Sequence, residues 1–86
     1  EPEFSNPTSV PPKELRGKLL ILSKNYFFDQ PRTVPETVNE LRERGLIASP
    51  LDVSKTLSKM AFNKELLKNK QGERSYYFVK EALLAN

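Results

Sequence analysis

The chain has 86 residues, enough for one small domain, and 37% of them are hydrophobic. It contains no Cys and no His, which excludes disulfides, zinc fingers and catalysis by a thiol nucleophile or an imidazole. Its formal net charge is +3, and its longest apolar run, Leu19–Leu22, is far short of the roughly 20 residues that a membrane helix needs.

The first twelve residues predict a disordered leader. They include four prolines, and their apolar residues follow neither the helical nor the strand period. Glu1-Pro2-Glu3-Phe4 is typical of residues left by cloning, which would make the chain a domain of a longer protein. We therefore expect one folded domain over residues 13–80.

A first helix is predicted from Lys13 to about residues 25–29. Pro11 and Pro12 suit its first turn, because the N–H that proline lacks would have no partner there. A helix that is apolar on nearly all sides should be central in the fold. Its apolar stripes are Leu15, Leu19, Leu22 and Tyr26, then Leu20 and Phe27, then Ile21.

The next two helices have clear start signals. Pro31 ends the first helix, since the residue before a proline avoids the helical region, and Arg32–Val34 is predicted as a short extended strand. Thr33 and Glu36 have the spacing of a capping box that begins the second helix. After an apolar connector over residues 46–48, Ser49 is the expected N-cap of the third helix. The predicted buried face of that helix is Val53, Leu57, Met60 and Ala61.

A hairpin is predicted near the end of the chain. Leu66–Lys70 and Ser75–Val79 are strand-like runs, and Gln71–Arg74 supplies the turn between them. Residues 81–86 predict a short helix or a tail.

The order helix, short strand, helix, turn, helix, hairpin resembles that of the winged helix-turn-helix family over residues 13–80. The resemblance is carried by Arg32–Thr37, Glu43-Arg44-Gly45, Asp52–Leu57 in the place of the recognition helix and Leu66–Val79 in the place of the wing. It implies an α+β, mainly α fold with a three-helix core, a short first strand and a C-terminal β-hairpin wing. The connector over residues 45–49 is longer than the tight turn of the simplest members.

This resemblance implies double-stranded DNA binding, with the third helix in the major groove and the wing on the backbone or in the minor groove, as a module of a larger protein. Residues 49–80 hold seven of the 14 basic residues and three of the 11 acidic ones. Such a regional excess favours an anionic partner, and a soluble lysine-rich surface explains it equally well.

Four residues of the third helix lie opposite its predicted buried face, namely Ser54, Lys55, Ser58 and Lys59. Lysine as a point charge and serine as a hydrogen-bond donor suit a phosphate backbone. The resemblance makes these residues the candidates for contact in the major groove. The alternative is an ordinary solvated helix face.

Further basic candidates are Lys68, Lys70 and Arg74 in the wing and Arg32 before the second helix. Arg74 suits a narrow minor groove, while charged protection of an exposed hairpin edge is the equal alternative for all three wing residues. Arg32 would hold a phosphate near the helix N-terminus or form an ion pair with Asp29 or Glu36. We favour the ion pair for Arg32.

The three aromatic residues of the last strand have different expected roles. Tyr76 and Phe78 share one face of the strand and are expected in the core. Tyr77 is then the only ring expected to be exposed, where it could stack on a single-stranded nucleic acid.

The sequence contains no pattern typical of an enzyme. Its carboxylates are scattered and its three glycines are isolated, so we expect no catalytic residue, cofactor, metal or small-molecule ligand. The alternative function is a protein-interaction or dimerisation module, with a surface formed by Leu20, Phe27, Leu83 and Leu84. The lack of cysteine, signal peptide and membrane segment favours an intracellular location, in the cytoplasm or the nucleoid or nucleus.

Overall fold

Three helices and a C-terminal hairpin form most of the computed structural model, which describes residues 7–79. The predictions of a mainly helical α+β chain, of three helices and of the hairpin are confirmed. The predicted helix or tail at residues 81–86 lies outside the described part. In chain order the elements are β1 (Thr8–Ser9), α1 (Pro12–Lys24), a 3-10 turn (Phe27–Asp29), α2 (Val34–Glu43), β2 (Leu46–Ile47), α3 (Pro50–Phe62), β3 (Leu67–Gln71) and β4 (Arg74–Phe78).

Residues 7–12 do not form the leader that the sequence predicted. Strand β1 pairs in parallel with β2, the segment predicted as an apolar connector. The amides of Thr8 and Val10 donate to the carbonyls of Gly45 and Ile47, both at 2.8 Å, and Val10 is only 7% exposed. A two-residue strand is too short for a sequence period to reveal, and its partner lies almost 40 residues away. Residues 1–6 lie outside the described part.

Only one face of α1 is buried, although the sequence predicted a central helix that is apolar nearly all round. Leu15, Leu19 and Leu22 face the core, whereas Ile21 is 49% exposed and Leu20 is half-buried. Within the described residues 7–79, α2 packs mainly on α3, so the contacts of α1 come mainly from α3 and the 3-10 turn.

The start signals of α2 and α3 are confirmed. The Thr33 amide donates to the Glu36 carboxylate at 2.9 Å, and the Glu36 amide donates to Thr33 Oγ1 at 3.3 Å, which completes the capping box. Ser49 Oγ accepts from the Asp52 amide at 3.0 Å. After α2, Gly45 adopts a φ of +81°, which turns the chain into β2.

The hairpin is held on both edges of β4. Strand β3 pairs with one edge in antiparallel register. On the other edge, the Arg32 amide donates to the Tyr77 carbonyl at 2.9 Å, and the Tyr77 amide donates to the Arg32 carbonyl at 2.8 Å. The predicted strand over Arg32–Val34 is thus reduced to a bridge at Arg32, because Val34 already begins α2.

One hydrophobic core joins the three helices, the 3-10 turn and the hairpin. Its central helix is α3, which packs on both α1 and α2. No helix within residues 7–79 is long and apolar enough to cross a membrane. The most deeply buried side chains are Leu15, Leu19, Leu22, Phe28, Thr37, Leu41, Val53, Leu57, Met60, Leu66 and Tyr77.

Replacing the Val10 side chain tests whether residues 7–12 belong to the fold. Val10→Ala removes about two buried methylene equivalents and should lower the free energy of unfolding by about 2 kcal/mol. The neighbouring exposed Ser9 provides the control, and Ser9→Ala should change that value by less than about 0.5 kcal/mol. Urea unfolding measures both, and equal stability of the two variants would mean that this segment is not part of the core.

Candidate nucleic-acid interface

The outward side of α3 carries the four residues that the sequence singled out. Ser54 and Ser58 are half-buried, whereas Lys55 and Lys59 are exposed. Each pair is one turn apart, and the two pairs are separated by about 100° around the helix. Because of this separation, the serines lie beside the hairpin and the lysines lie beside α1.

The serines line a groove between α3 and the hairpin, here called the hairpin groove. It has a volume of about 400 Å³ and brings Ser54 and Ser58 together with Lys68 and Arg74. Four of the eight candidate residues therefore converge, although they come from different elements. Hydroxyl donors and cations in one open groove are suited to an anion such as a phosphate.

Other groups in the hairpin groove were not singled out from the sequence. Ser75 and the first residues of α2, Val34 and Pro35, line it, and Glu73 adds a carboxylate. The pairing of Arg32 with Tyr77 brings the start of α2 to the hairpin, so no local sequence pattern could have indicated its place there.

Tyr77 also borders this groove, and the prediction that its ring is exposed was wrong. The residue is 1% exposed, and its hydroxyl lies 3.3 Å from Ser58 Oγ. The Lys68 ammonium lies 5.8 Å from its ring centroid. Tyr77 lies on the side of β4 that approaches α3 at Ser58. The other side of the strand is covered as well: Phe78 is buried, as predicted, and Tyr76 is half-buried.

The lysines line a second groove, between α1 and α3, here called the helix groove. Its volume is also about 400 Å³, and it joins Lys55 and Lys59 with Lys13 and Arg16 of α1. Neither α1 residue was among the site residues predicted from the sequence. Their spacing of three residues places them on one side of that helix, which was the available signal.

Arg16 is already engaged within the fold. Its guanidinium forms a two-pronged ion pair with the Glu65 carboxylate, and the Nε–Oε1 distance is 3.1 Å. The helix groove also contains Asp52. Lys13, Lys55 and Lys59 make no ion pair with any residue in the 7–79 range that the structure describes.

Arg32 has a structural role that neither sequence interpretation described. Its Nε donates to the Phe27 carbonyl at 2.8 Å, and its guanidinium carbon lies 4.5 Å from the Phe27 ring centroid. The favoured ion pair with Asp29 or Glu36 is absent from the described residues, because the Glu36 carboxylate caps α2 instead. Arg32 thus lines neither groove, although its neighbour Thr33 lines the hairpin groove.

Lys70 and the predicted partner surface also differ from the groove residues. Lys70 is exposed close to the hairpin turn and lines neither groove.

Phe27 was expected on a partner surface, but it is buried in the core, where its ring packs edge-on against Phe28 with 4.9 Å between the ring centroids. Leu20 packs against the same core, and Leu83 and Leu84 lie outside the described residues.

Comparison of the chain with protein-family models, with curated proteins and with solved structures finds no match. The three helices and the antiparallel hairpin are compatible with a winged-helix layout. Among residues 7–79, no group of three or more carboxylates is arranged to hold a metal ion.

The role of Arg32 can be tested by a substitution that keeps its charge. Arg32→Lys should lower the free energy of unfolding by about 1–2 kcal/mol, because lysine loses the planar stacking on Phe27 and the directed Nε hydrogen bond. Arg42→Lys, on an exposed part of α2, is the matched control and should change stability by less than about 0.5 kcal/mol. Thermal or urea unfolding provides the measurement, and an Arg32→Lys variant as stable as the control would contradict this role.

Proposed function

We propose that the chain is a winged helix-turn-helix domain that binds double-stranded DNA, with α3 in the major groove and the hairpin on the backbone or in the minor groove. The observation that carries the proposal is the hairpin groove, where Ser54 and Ser58 of α3 meet Lys68 and Arg74 of the hairpin. The proposed role is binding without catalysis, as a module of a larger intracellular protein.

The charges around α3 support this proposal. Lys55, Lys59, Lys68, Lys70 and Arg74 are all exposed on α3 and the hairpin. A duplex carries one phosphate charge for about every 1.7 Å of its axis, so several cations on one side of a small domain produce strong non-specific attraction. The hydroxyls of Ser54 and Ser58 add hydrogen-bond donors for phosphate oxygens.

The dimensions of α3 also support it. A helix with its side chains is about 10–12 Å wide, and the major groove of B-form DNA is about 12 Å wide. Helix α3 has 13 residues, which gives it a length of about 20 Å. It projects exposed side chains over several turns, as an inserted helix requires.

Replacing the two lysines of α3 tests its role in DNA binding. Lys55→Glu with Lys59→Glu should abolish binding to a random-sequence duplex in a fluorescence anisotropy titration, because it places two negative charges against the phosphates. The matched control is Lys24→Glu with Arg42→Glu, which makes the same charge change on exposed residues outside both grooves. Circular dichroism checks that both variants fold, and equal binding by the two would contradict the proposal.

Replacing the two cations of the hairpin groove tests the role of the hairpin. The logarithm of the affinity should fall linearly with the logarithm of the salt concentration, by about 0.9 per neutralised phosphate. Lys68→Ala with Arg74→Ala should therefore reduce that slope by about 2. A wild-type affinity that does not weaken with salt would refute DNA binding, whereas an unchanged slope in the variant would refute only the hairpin contact.

Two exposed apolar residues favour protein interaction as the second candidate function. Leu51 is 63% exposed and Phe62 is 86% exposed. They lie within about 20° of each other around α3 and about 17 Å apart along it, on the ridge between the two grooves. This ridge replaces the surface expected from Leu20 and Phe27, and it suits an apolar partner or a second copy of the chain.

The double substitution Leu51→Ser and Phe62→Ser separates the two candidate functions. For a dimerisation module, the wild type should self-associate in sedimentation velocity as its concentration rises, and the variant should remain monomeric. For a DNA-binding domain, the variant should keep the salt dependence of the wild type, because neither residue carries charge. Ile21→Ser on the exposed side of α1 serves as the control for loss of an exposed apolar side chain.

A further inference from the structure

We infer that the helix groove, between α1 and α3, is a second backbone-phosphate site, so that α1 contacts the DNA strand on the side of α3 away from the hairpin. This inference rests on the proposed function and extends it to an element that the sequence did not implicate. The residues that carry it are Lys13 of α1 and Lys55 and Lys59 of α3.

The position of the two grooves around α3 is the first argument. The buried side of α3 carries Val53, Leu57 and Met60. With about 100° per residue, the hairpin groove and the helix groove lie on the two flanks of the opposite, exposed ridge. A helix seated in a major groove about 12 Å wide has a phosphate backbone along each flank. Each groove of this protein therefore faces one of the two strands.

The balance of charges in the helix groove is the second argument. Four cations and the single carboxylate of Asp52 line it, and the Arg16 charge is already compensated by Glu65. Lys13, Lys55 and Lys59 are exposed and form no ion pair within the described residues 7–79. Lys13, Lys55 and Lys59 therefore exceed the Asp52 carboxylate by two positive charges, and a phosphate between them reduces their mutual repulsion.

The place of Lys13 in its helix is the third argument. It lies in the first turn of α1, where the positive end of the helix dipole disfavours a cation. Lys24 in the last turn of the same helix has the favoured position. The position of Lys24 therefore stabilises α1, whereas the position of Lys13 does not. An anionic ligand in the helix groove would account for a lysine at position 13.

The experiment compares Lys13→Ala with Lys24→Ala, which remove the same side chain from the two ends of α1. Both are titrated with a random-sequence duplex at several salt concentrations. Lys13→Ala should reduce the salt slope by about 1, Lys13→Arg should restore it, and Lys24→Ala should keep the wild-type slope. A slope unchanged by Lys13→Ala, while Lys68→Ala with Arg74→Ala still reduces it, overturns this inference and leaves the proposed function standing. If the wild type binds no duplex, both fail.

Mapping of the bound DNA provides a second readout. Since the chain has no Cys, Lys13→Cys and Lys70→Cys each provide a single attachment point for an iron chelate that cleaves nearby DNA. On a defined duplex, cleavage from position 13 and from position 70 should fall on opposite strands bordering the occupied major groove. Cleavage from position 70 alone would overturn the inference, because α1 would then lie away from the duplex.

Discussion

The arrangement of the candidate site depends on how the hairpin is connected to the helices; the Val79 amide donates to the Phe28 carbonyl at 3.0 Å, and two backbone hydrogen bonds join Arg32 to Tyr77. These two bonds lie on the edge of β4 that β3 leaves open and cover that edge at Tyr77. With β4 held there, the Tyr77 ring is buried against α3, and its hydroxyl approaches Ser58. The Arg32 side chain strengthens this connection, because its guanidinium binds the Phe27 carbonyl and lies over the Phe27 ring.

The consequence of this connection is that α3 lies between two different grooves. On one flank the hairpin brings Lys68 and Arg74 towards the serines of α3, and on the other flank α1 brings Lys13 towards its lysines. Both grooves need α3 to pack on its neighbours through one side only, which leaves the rest of this helix open. In the proposed DNA complex, the two flanks would contact the two strands, while Leu51 and Phe62 would face the floor of the major groove.

Much of the local structure could be predicted because it depends on residues close together in the chain. Thr33 and Glu36 cap α2 as their spacing indicated, and Ser49 caps α3. Predictions that depended on distant contacts were less successful. Tyr77 was expected to be exposed because one face of the strand was assumed to be open, whereas Tyr77 and Phe78, on opposite faces, are both buried. Phe27 was expected at the surface because the 3-10 turn that directs it inward was read as a continuation of α1.

The sequence by itself determined where the helices begin, where the hairpin turns and which residue types face outward on α3. These features follow from hydrogen bonds and steric preferences within a few residues. Only the tertiary structure decided that residues 8–9 pair with β2, that Tyr77 is buried and that Lys13 joins Lys55 and Lys59 in one groove. Each of these depends on which elements pack together. Which elements pack together is determined by burial of the whole hydrophobic core, and no short stretch of sequence specifies it.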